Sequence, residues 1–175
     1  VTLCDAIIIA TPTITHHEIA KDVLNNKCHI FIEKPITTTT SQAHELIAIA
    51  NLNNLIIQVG HIERFNPAFL ALKKKNINPQ FVEVHRLASF KSRSDDISVI
   101  LDLMIHDIDI VLDIIQNPVK EIQANGVKVI TDEIDIANAR ITFENGCIAN
   151  LTSSRISLKE MRKMRIFQEK SYINI

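Results

Sequence analysis

Three stretches of this chain hold residue types that could do chemistry. Glu33-Lys34-Pro35 closes the apolar run His29-Ile30-Phe31-Ile32. If that run is a parallel strand, the tripeptide stands at its C-terminal end, where open α/β sheets bind their ligands. A lysine there can hydrogen-bond a hydroxyl, stabilise a developing alkoxide or share its proton. The competing reading is a solvated turn. The second stretch is Asp102-x-x-x-His106-x-x-Asp109. At helical spacing the two carboxylates stand one turn to either side of the imidazole. Such a neighbour can fix a histidine's tautomer and stabilise its charged form, which suits a general base. A helix N-cap with a surface ion pair fits the same residues. So does a metal site, although zinc asks for a third strong ligand and no partner motif is evident. The third stretch, Gly60 to Pro67, is polar where a strand ends. There Arg64 could meet a phosphate or a carboxylate, or could pair with Glu63 or another acid in a linker. His16, just past Thr11-Pro12-Thr13, could line the same crevice or could cap and pack.

Positioning these groups requires particular elements. Ala6 to Ala10, His29 to Ile32 and Leu55 to Val59 are short apolar runs. Between them lie two segments with apolar residues at helical spacing. The first runs from about Thr15 to Asn26, with Ile19, Ala20, Val23 and Leu24. The second is capped by Thr40 or Ser41 and reaches about Asn53, with Ala43, Leu46, Ile47, Ile49 and Ala50. That alternation predicts βαβ units and a parallel sheet. Three strands are half of a doubly wound dinucleotide-binding sheet. After Gly60 the pattern changes. It predicts a short helix from Pro67 to about Lys75, an exposed strand from Gln80 to Phe90 and a strong helix from Val99 to Gln116. From Val119 the period is two, with a hairpin at Asn145-Gly146 and further strands at Cys147 to Ile156 and Met161 to Gln168. The expected fold class is therefore α/β. Residues 1–62 form the second half of a Rossmann-type sheet, and residues 63–175 form an α+β domain with an open, mostly antiparallel sheet.

The chain of 175 residues carries a formal net charge of −1, which argues against a partner that is duplex DNA or a membrane surface. It is 46% hydrophobic and 22% charged, the balance of a globular chain. Cys4, Cys28 and Cys147 are an odd number at wide spacing, read as reduced and mostly buried thiols in a cytoplasmic protein. The basic residues Arg155, Lys159, Arg162, Lys163 and Arg165 read as one face of a sheet, or as an anion site. Only three glycines are present, few for a chain that cradles phosphates. Val1 at the start and the strand-like Ser171 to Ile175 at the end suggest a chain without either natural terminus.

In this order, Asp5 to Thr13 with His16, Lys27 to Pro35, and Asp102-x-x-x-His106-x-x-Asp109 resemble the Gfo/Idh/MocA oxidoreductases, and the resemblance covers essentially the whole chain. It implies a Rossmann domain followed by an α/β domain whose open sheet often forms the dimer interface, hence a homodimer or homotetramer at full length. It implies a cofactor, NAD or NADP with NAD favoured, and a sugar or nucleotide-sugar substrate. Lys34 would bond the reacting hydroxyl, His106 would accept its proton, and Asp102 would position the substrate or His106. Thr11, Pro12, His16, Glu33 and Arg64 would lie on the cofactor side with Lys34, and His61, Arg86 and Asp109 on the substrate side. No metal is implied. Gly60 to Pro67, Val84 to Arg86 and Leu101 to Asp109 are similar to the branch that oxidises UDP-N-acetylglucosamine at the sugar 3-position. The family's Gly-x-Gly-x-x-Gly loop is not in this sequence, nor is the acidic residue beyond it. This implies that these 175 residues alone bind NAD weakly or not at all. A sugar-sensing regulator on the same fold and a non-functional truncated product are the rival readings; regulators of this kind tend to lose the lysine or histidine that is present here.

Overall fold

The computed structural model describes residues 4–90 and 97–175. The chain divides into two units, residues 1–61 and 62–175, each with its own core. Among the described residues no helix is long and apolar enough to cross a membrane.

The first unit is a parallel sheet in the order β1 (Ala6–Ile9), β2 (His29–Glu33), β3 (Ile57–Gly60), joined by α1 (Thr13–Asn25) and α2 (Thr40–Asn53). Ala20, Val23 and Leu24 of α1 and Leu46 and Ala50 of α2 bury against Ile9, Ile30 and Ile32. The helix starts differ from expectation. Proline at position 12 precedes α1 without a side-chain cap, and the Thr15 hydroxyl instead donates to Thr11 Oγ1 or the Pro12 carbonyl. Thr39, not Thr40 or Ser41, caps α2 by accepting from the Gln42 amide. The helices cover one face of the sheet. On the other, Ile8 of β1 is 75% exposed.

The second unit is a six-stranded sheet in the order β5-β6-β7-β4-β8-β9. These are β4 (Phe81–Leu87), β5 (Val119–Val127), β6 (Ile136–Phe143), β7 (Ile148–Ser154), β8 (Met161–Gln168) and β9 (Ser171–Asn174). Only β4 and β7 pair in parallel. Val82, Val84, Ala139, Ile141, Leu151, Met164 and Ile166 turn to one side, where Phe69 and Leu72 of α3 (Pro67–Lys73) and Ile110 and Val111 of α4 (Ile105–Ile115) close the core. The opposite side is polar, with Glu83, His85, Gln123, Asn138, Arg140 and Thr152. The helix expected over Val99 to Gln116 is not one α-helix: Ile100–Met104 form a π-helical turn that leads into α4.

The thiols are free and mostly buried, as expected: Cys28 and Cys147 are buried and Cys4 is exposed. One reading of composition needs correction. The basic residues do not share a sheet face. Arg162 alternates with Lys163 and Arg165, and Arg155 is buried, ion-paired with Asp135 and donating to the Ile97 and Ile134 carbonyls.

Asp135, fully buried, ties the 129–135 loop. It accepts from the amides of Val129, Ile130 and Thr131 at 2.8–3.0 Å and from the Thr131 hydroxyl at 2.8 Å. Burial pushes its carboxyl up, but those four donors outweigh it and hold the group well below the usual carboxylate range. The stabilisation is therefore complete above that ordinary range and is lost as pH falls through the lower folded value. Asp135→Asn should cost about 1–3 kcal/mol in urea unfolding at neutral pH, and the gap from the parent should narrow on acidification. Equal midpoints at neutral pH would refute this.

Candidate active site

The carboxyl ends of the first unit's strands gather five of the expected residues. Because β1, β2 and β3 run parallel, the segments that leave them lie on one edge. Thr11 and Pro12, past β1, are exposed; Glu33 and Lys34, at the end of β2, are half-buried. Gly60, the last residue of β3, pairs with Glu33. A Cβ on Gly60 would stand 3.0 Å from the Glu33 carboxylate, so the glycine leaves that carboxylate its seat against β3. His61 follows, its amide donating to the Val59 carbonyl. The Lys34-Pro35 bond is cis.

Of the readings open for His16, packing describes its ring, which is 1% exposed with Nδ1 2.8 Å from the Pro35 carbonyl oxygen and Nε2 2.9 Å from that of Thr11. Its neighbour His17 is also buried and bonds Glu45 at 2.8 Å, while Lys21 reaches the same carboxylate at 2.7 Å. The hydrogen bond from Lys21, joined by that of His17, holds the Glu45 carboxyl below its ordinary value and pins α1 to α2.

In the second unit His106 lies in the first turn of α4 and Asp102 in the π turn before it. A π turn closes i→i+5 bonds and takes up one residue more than an α turn. Asp102 and His106 therefore do not share one continuous α-helix. Turns of this kind are frequent at functional sites. Asp109 lies one turn after His106 in the same α-helix. It is buried and takes Arg64 Nε–H and Nη2–H at 2.7 and 2.6 Å.

Sequence reasoning missed Asp107. It takes Arg86 in the same bidentate way, at 2.8 and 2.6 Å, with both side chains largely buried. It also missed Glu63, which accepts from Arg162. Burial pushes the Glu63 carboxyl up, but the Arg162 hydrogen bond and the charges of Arg162, Arg86 and His106 hold it below the usual range. The charge of His106 thus reaches Glu63, a residue of another element that the helix spacing of His106 does not indicate. Arg64 and Arg86 each give two donors to an aspartate. Of a guanidinium's five donors, three remain for other acceptors. Chemically, the first unit offers an ammonium beside a carboxylate at a sheet edge, and the second an imidazole set among paired charges. Among the described residues no group of three or more His, Cys, Asp or Glu side chains is arranged to hold a metal ion.

Residues 1–61 match the oxidoreductase family model with the NAD-binding Rossmann fold, and residues 76–174 match the GFO/IDH/MocA C-terminal domain. The chain is 41% identical to the UDP-N-acetylglucosamine 3-dehydrogenase of Acidithiobacillus ferrooxidans, over 98% of this chain and 55% of that protein. The solved structure of that enzyme superposes with a TM-score of 0.90 over 98% of this chain and 57% of its own. A myo-inositol 2-dehydrogenase of Thermotoga maritima is 26% identical over 86% of this chain and 50% of its own. The chain spans about half the length of the curated relatives it matches. With a sheet of parallel βαβ units, a mostly antiparallel second sheet and both family models matched, the chain belongs to the Gfo/Idh/MocA family of oxidoreductases.

Proposed function

We propose that the protein at its natural length is an NAD(P)-dependent dehydrogenase, with NAD the favoured cofactor. It oxidises a sugar or nucleotide-sugar hydroxyl, and UDP-N-acetylglucosamine at C3 is the first substrate to test. The observation that carries this reading is the 41% identity, over 98% of the chain, to an enzyme of that name. Residues 1–61 supply part of the cofactor domain, and residues 62–175 supply the substrate and oligomerisation domain.

The residues at the edge of the first sheet fit the ribose and nicotinamide end of a dinucleotide. Thr11 and Pro12 are exposed there, and the Glu33 carboxylate is seated against Gly60. The bound cofactor supplies the hydride acceptor. Lys34 donates a hydrogen bond to the reacting hydroxyl and stabilises the alkoxide as it forms. His106 accepts the hydroxyl proton, with Asp102 positioning the substrate or the ring. Arg64, anchored on Asp109, offers its remaining donors to the cofactor; Arg86, anchored on Asp107, and His61 serve the substrate. The protein works in the cytoplasm as a homodimer or homotetramer joined through the polar face of the six-stranded sheet.

The test is reduction of NAD by the natural-length protein with UDP-N-acetylglucosamine, beside free sugars and inositols. Turnover of the nucleotide sugar supports the whole reading. Turnover of an inositol alone removes the substrate and keeps the dehydrogenase. Inactivity throughout, with tight binding of one sugar, replaces the enzyme by a sensing regulator.

A further inference from the structure

His16 is more than a packed core residue. Both of its ring nitrogens meet carbonyl oxygens, at 2.8 Å on Pro35 and 2.9 Å on Thr11. A carbonyl only accepts, so each contact asks the ring for an N–H; a ring with a proton on both nitrogens satisfies both, and a ring with one satisfies one. The two carbonyls belong to different segments, one leaving β1 and the other leaving β2 directly after Lys34. Proline at 35 has no N–H to give. Behind it the buried Thr37 hydroxyl donates to the Thr39 carbonyl at 2.7 Å, and ahead of it Glu33 rests on Gly60. The carbonyl at 35 lies between these two supports, and the ring of His16 holds it from within the core.

We propose that His16 is a positioning residue: its ring clasps the Lys34-Pro35 turn to the segment after β1 and so fixes where Lys34 Nζ stands. The proposal rests on the reading of Lys34 as the group that meets the reacting hydroxyl. His16 touches no ligand and acts through Lys34. A displacement of about 1 Å at such a group is enough for a 100-fold loss.

The experiment uses the natural-length protein with His16→Phe, which removes both donors, His16→Asn, too short to span both segments, and His16→Gln as the rescue. His44→Phe, on an exposed part of α2, controls for the exchange itself. The first readout needs no cofactor: the rate at which Lys34 is acylated by an amine reagent, measured by peptide mass spectrometry against exposed Lys159. It should rise about tenfold in the Phe and Asn variants, the equivalent of one lost hydrogen bond, and less in the Gln variant. The second is kinetic: kcat should fall about 100-fold in Phe and Asn while KM for NAD moves less than about threefold, with partial recovery in Gln. If the Phe variant does not fold, the Asn variant decides on the same two numbers. A folded Phe or Asn variant with Lys34 acylated at the wild-type rate overturns the clasp. An inactive wild type whose labelling still responds to His16 sinks the dehydrogenase reading and leaves the clasp standing.

Discussion

Lys34→Ala and His106→Ala should each lower kcat/KM for sugar oxidation by at least about 100-fold in the natural-length protein, the size expected for a general acid–base group. Lys34 is half-buried in the turn after β2 and is not part of the first unit's core. The unfolding midpoint of each variant, measured beside its activity, separates lost chemistry from a lost fold. Lys34→Arg keeps a charge but presents a guanidinium that does not give up its proton. It should restore substrate affinity more than turnover. The charge of His106 reaches Glu63, which is balanced by Arg162, as Arg86 is by Asp107. Removing the imidazole takes away the one group in that network suited to accept a proton near neutrality. If the two residues serve one proton transfer, the double variant should be little worse than either single one, as for groups that act as a unit. Steady-state and single-turnover rates of the three variants decide this. A His106→Ala enzyme within about threefold of the parent would remove the histidine from the chemistry, and the same holds for Lys34.

Much of the fold is legible in the residues, because local pattern and global architecture agree. The apolar runs at Ala6, His29 and Leu55 become parallel strands, since each is bounded by a helix with one apolar stripe. Met161–Gln168 is a strand because its apolar residues alternate onto the core side at Met164 and Ile166. What periodicity does not reveal is the π turn at Ile100–Met104. A single wide turn leaves the apolar spacing of the helix after it intact, so Ile105–Ile115 reads the same with or without it. The site is legible in part. Glu33-Lys34-Pro35 stands out because it is polar directly after an apolar strand. The partners of Arg64 and Arg86 do not, because Asp109 and Asp107 are 45 and 21 residues away in the chain. Two acidic residues in an apolar helix were a usable signal: Asp107 and Asp109 lie among Ile105, Ile108, Ile110 and Val111, and a buried carboxylate requires a partner. For His16 the signal was weaker, since a histidine one turn into a helix reads equally as a cap, a packing residue or a ligand.

Arg86→Met should be the most destabilising single change in the second unit. Arg86 is 13% exposed and Asp107 6%, and they share two hydrogen bonds of 2.8 and 2.6 Å. The buried carboxylate would keep its desolvation cost and lose its counter-charge, a loss of about 3–5 kcal/mol. At about 2–4 °C per kcal/mol for a chain of this size, the midpoint should drop by roughly 6–20 °C. The pair itself need not stabilise the fold by that amount, because desolvation of both ions offsets most of their attraction. Arg86→Met combined with Asp107→Leu should therefore return to within about 1–2 kcal/mol of the parent. Recovery of this kind separates the two things that Arg86 could do. If its remaining donors bind the substrate, the double variant should be stable and yet show KM for the sugar raised at least tenfold, about 1.4 kcal/mol, the size of one charged hydrogen bond. If Arg86 serves only to hold the first turn of α4, KM should return together with stability. A double variant no more stable than Arg86→Met would mean that the cost lies in packing around the arginine stem rather than in the stranded carboxylate.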